Sequence, residues 1–207
     1  MRFILILGAM VISVALVSTV VPGPAASEEK SENPLVKVET NMGSFTIELY
    51  EEKAPITVKN FLNYVDKKFY DGTIFHRIIP TFVIQGGGFT KDMTKKATAA
   101  PITNEADNGL KNLEATLSMA RTMDINSATC QFFINLKDNT ALDHKGKGAR
   151  EYGYAVFGKV IEGWDVVEKI KGVKTTTKGS YKDVPVKPVV IKSMRRKEAE
   201  KTGEKEE

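Results

Sequence analysis

Cysteine and histidine are scarce in this chain. One cysteine, Cys130, and two histidines, His76 and His144, occur among 207 residues. A lone cysteine closes no intramolecular disulfide, and three such residues do not supply the usual zinc-ligand spacings. No metal or other cofactor is expected. An excess of one charge is also missing: 30 Lys and Arg stand against 26 Asp and Glu, for a net +4. The basic residues are interspersed with acidic ones rather than with aromatics, and no nucleic-acid-binding motif appears, so nucleic acid is not an expected partner. Proline and glycine number 8 and 16, too few for a collagen-like or low-complexity chain. There is no internal repeat. With 42% hydrophobic residues, the chain has the composition of an ordinary folded domain.

Long apolar runs are confined to one place. After Met1 and Arg2, residues Phe3 to Val21 carry no charge, and Pro22-Gly23-Pro24 then break the run. Ala25, Ala26 and Ser27 follow, then Glu28, Glu29 and Lys30. A basic start, an apolar stretch and small residues before a charged segment predict a secretory signal, residues 1–27, cleaved after Ser27. The alternative is an uncleaved membrane anchor, since the run approaches spanning length. Residues 28–34 read as a polar linker. Residues 195–207 hold five charges of each sign and no apolar side chain larger than alanine, so they are expected to be a frayed helix or disordered tail. One domain of residues 35–194 remains.

Within it, Val36, Val38 and Thr40 alternate with polar residues. Asn41-Met42-Gly43 turns, and Phe45, Ile47 and Leu49 alternate again, predicting a β-hairpin. Pro55 opens a helix with Val58, Phe61, Leu62 and Val65 on one face. Further strands are expected at Ile74–Ile78, Phe82–Gln85, Thr116–Ala120, Gln131–Leu136, Tyr154–Val160 and Pro188–Met194. A second helix is expected near Trp164–Ile170. Many short strands with two isolated helices suggest a mainly β, closed antiparallel barrel. The stretch Gly86–Glu114, poor in large apolar residues, reads as a functional loop. Cys130 adjoins an apolar run and is expected to be buried. Gly86, Gly87 and Gly88 match no phosphate-binding pattern and are read as a bulge or tight turn.

Five segments, in order, carry a resemblance. Phe75-His76-Arg77-Ile78-Ile79-Pro80, continuing into Phe82-Val83-Ile84-Gln85-Gly86-Gly87-Gly88-Phe89-Thr90, resembles the signature of the cyclophilin-type peptidyl-prolyl cis–trans isomerases. Asn104 to Leu110, Leu117 to Arg121, Gln131 to Ile134 and Val156 to Val160 match the same family in the right order. The resemblance spans about Leu35 to Ile191. It implies an eight-stranded antiparallel barrel capped by two α-helices, and isomerisation of X–Pro bonds in unfolded or nascent polypeptides. Tyr154 and Arg121 resemble the bacterial exported branch, and with the secretory signal the expected location is the periplasm; the expected state is a monomer. Contact with a membrane is expected only if the signal is uncleaved. The runner-up reading is a proline-peptide binding module or holdase chaperone without physiological turnover.

The reaction needs no nucleophile and no general base. Rotation about the amide faces about 18–20 kcal/mol because resonance is lost, and the twisted form leaves a lone pair on the prolyl nitrogen. A fixed donor aimed there favours the transition state over the planar ground state. Arg77, permanently charged and rich in rigid donors, suits that role. The resemblance assigns Arg77, Gln85 and Phe82 to catalysis. It assigns Val83, Ala120, Arg121, Thr122, Gln131, Phe133, Leu142 and Tyr154 to substrate binding. Regular strand alternation predicts Phe75 and Arg77 on one side of their strand with His76 opposite, which makes His76 structural. Phe82 has the wrong parity to share a strand face with Gln85 and is expected at the strand entrance. His144 is expected to be solvated.

Four departures stand out. Ala141 occupies the position where many members carry Trp, and Tyr154 that of a common His. Val83 replaces Met, and Arg121 an Asn. Without the indole, weak binding of the macrocyclic inhibitor cyclosporin is expected.

Overall fold

The computed structural model describes residues 33–197. The predicted signal, most of the linker and the tail beyond Lys197 lie outside the described residues.

Strands β1 (Leu35–Thr40) and β2 (Gly43–Leu49) form the expected hairpin. The alternation buries Val36 and Val38 from one strand and Phe45, Ile47 and Leu49 from the other. Helix α1 (Pro55–Asp66) begins with proline in its first turn, where the missing N–H costs nothing. Its Ala54 cap offers no side-chain acceptor. The carboxylate of Glu105, from the long loop, takes that role. It accepts hydrogen bonds from the Ile56 and Thr57 amides at 3.0 and 2.8 Å and from the Thr57 hydroxyl at 2.6 Å. A remote carboxylate thus satisfies the orphan donors at the positive end of the helix.

The remaining elements are β3 (Thr73–Ile79), β4 (Val83–Thr90), β5 (Thr116–Met119), β6 (Phe132–Asn135), β7 (Val156–Glu162), α2 (Trp164–Lys171), β8 (Thr175–Lys178), β9 (Tyr181–Pro185) and β10 (Val189–Lys197). Eight strands close a barrel in the order β1-β10-β3-β4-β6-β5-β7-β2, every pair antiparallel. An eight-stranded barrel is just wide enough for side chains to fill it. Phe61 of α1 enters an aromatic cluster, 5.5 Å from the Phe132 ring, 5.1 Å from Phe157 and 5.2 Å from Tyr70. Cys130 is buried as expected, and its carbonyl accepts a hydrogen bond from the Tyr70 hydroxyl at 2.9 Å.

Three features differ from expectation. β8 and β9 form a separate two-stranded sheet that the sequence pattern did not announce, because the Thr- and Lys-rich β8 is exposed throughout. β10 runs three residues into the expected tail: Arg195, Arg196 and Lys197 pair with Lys37, Val36 and Leu35. Charged side chains can point outward while the backbone completes the ladder, and carboxylates anchor them. Arg195 grips both oxygens of Asp71 at 2.9 and 2.6 Å, and Arg196 both oxygens of Asp66 at 2.9 and 2.7 Å. At the other end the Pro34 carbonyl, placed in the linker by sequence, accepts a hydrogen bond from the Leu49 amide at 2.9 Å.

The third difference is a bulge. Phe75 pairs with Gly86 but Arg77 pairs with Gln85, so β3 carries one residue more than β4 at His76. Gly87 beside it has φ +85°. The extra residue reverses the parity: Phe75 and Ile78 both enter the core, while Arg77 faces outward. The expected pairing of Phe75 with Arg77 on one side is therefore incorrect.

Candidate active site

Downstream of the bulge, alternation is regular on three adjacent strands. Ile78, Ile84, Phe132 and Ile134 point into the core. Arg77, Val83, Gln85 and Phe133 point out and line a cavity of about 150 Å³. Phe82 completes one wall from the turn before β4, the strand entrance expected for it; its amide donates to the Ile79 carbonyl at 2.9 Å. Leu142 comes from the short 3₁₀ turn Thr140–Leu142, and Ala120, Arg121 and Tyr154 close the cavity. A second cavity of similar size adjoins it and shares Gln85, Ala120 and Arg121. Thr122 and Gln131 line this second cavity. Every residue singled out from the sequence therefore lies on one continuous groove outside the barrel.

The polar centre of the groove is a relay. Arg77 Nη1 donates to Gln85 Oε1 at 3.4 Å, and Gln85 Nε2 donates to Gln131 Oε1 at 3.0 Å. Gln131 thus fixes which way the Gln85 amide points, and its oxygen faces the guanidinium. The first contact is long, so most of the arginine's donors are unspent. Gly88 leaves the space that Gln131 fills; a Cβ there would sit 2.5 Å from the Gln131 side chain.

The apolar walls are held from behind. Asn139 Nδ2 donates to the Phe82 carbonyl at 3.0 Å and to Asn135 Oδ1 at 2.8 Å, and the Leu136 amide donates to the same Phe82 carbonyl at 3.0 Å. Buried Asn112 joins this network through Asn135 and through Asp143, beside Leu142. Phe133 packs edge-on against Tyr154, ring centroids 5.6 Å apart.

Arg121 lines both cavities, with its donors turned to backbone. Its guanidinium is spent on backbone: Nε on the Gly153 carbonyl at 2.8 Å, Nη1 on Thr122 at 2.9 Å and Nη2 on Ala149 at 2.7 Å. The same group lies 4.8 Å from the centre of the Tyr154 ring. It lines the groove but offers a ligand few donors.

The two histidines are both tied down. His76 leaves the barrel core and is buried against Phe89, ring centroids 4.6 Å apart, with Tyr181 of β9 beyond at 5.3 Å. Its Nδ1 has no hydrogen-bond partner. Burial, with the Arg77 charge second, lowers its pKa from 6.5 to about 4. It is a neutral ring at physiological pH, and burial rather than an opposite strand face makes it structural. His144 is not merely solvated: its Nδ1 lies 2.9 Å from the Tyr152 carbonyl and its ring stacks edge-on against Tyr152.

Sequence reasoning missed Lys95, Ser127 and Thr129, which line the second cavity. Lys95 lies in the stretch read as a functional loop, but nothing in its spacing distinguished it from the neighbouring lysines. Among the described residues no cluster of side chains suits a metal ion.

A filled barrel with an arginine–glutamine relay in an outer apolar groove defines a cyclophilin-like protein. Comparison with known proteins bears this out. The model of the cyclophilin type peptidyl-prolyl cis-trans isomerase/CLD family matches residues 35–196. The chain is 52% identical over 180 residues to peptidyl-prolyl cis-trans isomerase A of Dickeya dadantii, covering 87% of this chain and 92% of that protein. It is 59% identical over 158 residues to peptidyl-prolyl cis-trans isomerase cyp18 of Streptomyces antibioticus, covering 76% and 95%. A crystal structure of a Cryptosporidium parvum cyclophilin type isomerase, determined in the presence of the dipeptide Ala-Pro, superposes with a TM-score of 0.69 at 27% identity. That match covers 80% of this chain and 99% of the other. The chain belongs to the cyclophilin-type peptidyl-prolyl cis-trans isomerase family.

Proposed function

We propose that this protein accelerates cis–trans isomerisation of X–Pro bonds in exported polypeptides, with Arg77 as the donor to the prolyl nitrogen. The observation that carries the reading is the half-buried Arg77 guanidinium, oriented by Gln85 and bordered by Phe82, Val83, Phe133 and Leu142. The apolar side chains take the proline ring, while the guanidinium meets the lone pair that appears only as the amide twists. A donor used more in the twisted state than in the planar one lowers the barrier, about tenfold for each ~1.4 kcal/mol. Gln85, held by Gln131, keeps the guanidinium in register and presents its own amide to a substrate carbonyl. The working location is the periplasm, a reading that rests on the apolar segment before Glu28, and the working form is a monomer.

A proline-isomerisation assay on the wild type and on Arg77→Ala tests the reading. The variant is expected to be slower by about a hundredfold or more, the scale of losing one preorganised donor, with an unchanged circular dichroism spectrum. Equal rates in both would remove Arg77 from the mechanism. Two folded but inactive proteins would leave a proline-peptide binder or holdase. The groove is also proposed to bind cyclosporin weakly, because exposed Ala141 supplies no wall where an indole would stand. A nanomolar Kd by calorimetry would contradict this.

A further inference from the structure

The segment from Asp143 to Gly153 is long for a link between a 3₁₀ turn and a strand, and it is built rather than loose. Its neck is closed by the Tyr154 amide donating to the Leu142 carbonyl at 3.0 Å. Inside, Glu151 and Tyr152 amides both donate to the Gly148 carbonyl, at 2.9 and 2.8 Å, and the Lys145 amide donates to the Glu151 carbonyl at 2.8 Å. Arg121 then ties two points of the loop, Ala149 and Gly153, to the groove wall. The Arg121 guanidinium thus fastens the loop to the groove wall at two points, while Asn104 Nδ2 also donates to the Gly153 carbonyl at 3.2 Å and Asn112 holds Asp143 at the loop's start.

Charge gives that fastening a purpose. No carboxylate lines either cavity of the groove, whereas Arg77, Lys95 and Arg121 do. The loop adds exposed Lys145, Lys147 and Arg150 against one exposed carboxylate, Glu151; Asp143 is buried and engaged by Asn112. Lys147 and Arg150 lie within two residues of the Ala149 carbonyl that Arg121 holds. The groove and the loop fastened to it therefore carry a local excess of positive charge.

We propose that the Asp143–Gly153 loop is a specificity element that favours X–Pro sites flanked by acidic residues, and that Arg121 is the positioning residue that holds it against the groove. The inference rests on the isomerase reading above. Arginine is required at 121 because its planar fork reaches three carbonyls at once, which a lysine ammonium on a flexible stem does not. The selectivity acts through exposed charges, so salt weakens it.

The test uses three Ala-Pro peptides whose flanking residues are acidic, neutral or basic, with exchange rates read by NMR on the purified protein. The wild type is expected to give a several-fold higher kcat/KM for the acidic peptide than for the basic one, shrinking in 0.5 M salt. The double substitution Lys147→Glu with Arg150→Glu, at exposed positions, is expected to hold the neutral peptide within about twofold and to abolish or invert the preference. Arg121→Lys retains the charge and loses the clamp. It is expected to lose the preference and to slow all three peptides, while thermal denaturation shows it folded. If Arg121→Lys keeps the full preference, the clamp is wrong. If the double substitution leaves the preference intact, or the wild type handles all three peptides equally, the specificity role is wrong while the isomerase reading stands. A wild type inactive on all three overturns both.

Discussion

The two faces of β3, β4 and β6 have little in common. Inside the barrel, Phe75, Ile78, Ile84, Phe132 and Ile134 are almost wholly shielded from solvent and packed together. Outside, the same strands present a half-buried arginine, a glutamine relay and one phenylalanine that leans on a loop tyrosine. The inner face has no room for a ligand. The outer face has unspent donors and a cavity. Stability and chemistry are thus stored on opposite sides of one sheet, and strand alternation keeps them separate. The bulge at His76 makes this possible: without the extra residue, Arg77 would follow Phe75 into the core.

The comparison is broken most forcefully from within. Phe132→Ala removes a fully buried ring that touches Phe61, Tyr70 and Phe75. It should cost about 3–5 kcal/mol by chemical denaturation, while the remaining folded fraction isomerises at a near-normal rate. Arg77→Ala should be its mirror image, silent in chemical denaturation and large in the turnover assay.

His76 sharpens the boundary between the faces. Below pH 6.5 the unfolded chain takes up a proton on this ring, but the folded protein resists until about pH 4. The stabilisation is complete above pH 6.5 and is lost as pH falls through that window, by about 3 kcal/mol in all. His76→Phe should flatten this part of the stability profile in pH-dependent thermal melts. The wild-type turnover of folded protein should stay nearly level from pH 6 to 9, since Arg77 remains charged. A rise in turnover with midpoint near 6.5 would assign His76 a chemical role.

The smallest effect concerns the end of β10. Ending the chain at Met194 removes two bidentate ion pairs and three ladder positions. It should cost about 1–2 kcal/mol, since partly exposed pairs are individually weak. Ending it at Lys197 should leave the melting temperature unchanged.

The barrel and the groove were legible in unequal ways. Val36, Val38, Phe45, Ile47 and Leu49 announced a hairpin because one face of each strand meets the core and the other meets water. The groove residues, Phe82 among them, were reached through resemblance, and strand parity placed Phe82 at the strand entrance. What stayed hidden had physical reasons. The bulge at His76 leaves no mark on hydrophobic pattern, because a bulged residue is still extended. β8 has no buried face and so no alternation. Arg195 and Arg196 looked like tail because their carboxylate partners, Asp71 and Asp66, lie more than a hundred residues earlier. The backbone contacts of Arg121 were hidden because carbonyl partners at Ala149 and Gly153 carry no side-chain signature.

Closure of the barrel also bears on which backbone contacts the protein offers. Unfolded chains rich in strand-forming segments will pair with any free row of backbone amides and carbonyls, and an open sheet invites them to do so. Here eight strands leave no such row in the main sheet. Among the described residues the two strands outside it, β8 and β9, are four and five residues long and carry Lys178 and Lys182. A proline-containing peptide can be held by its proline without being offered an open sheet edge to pair with.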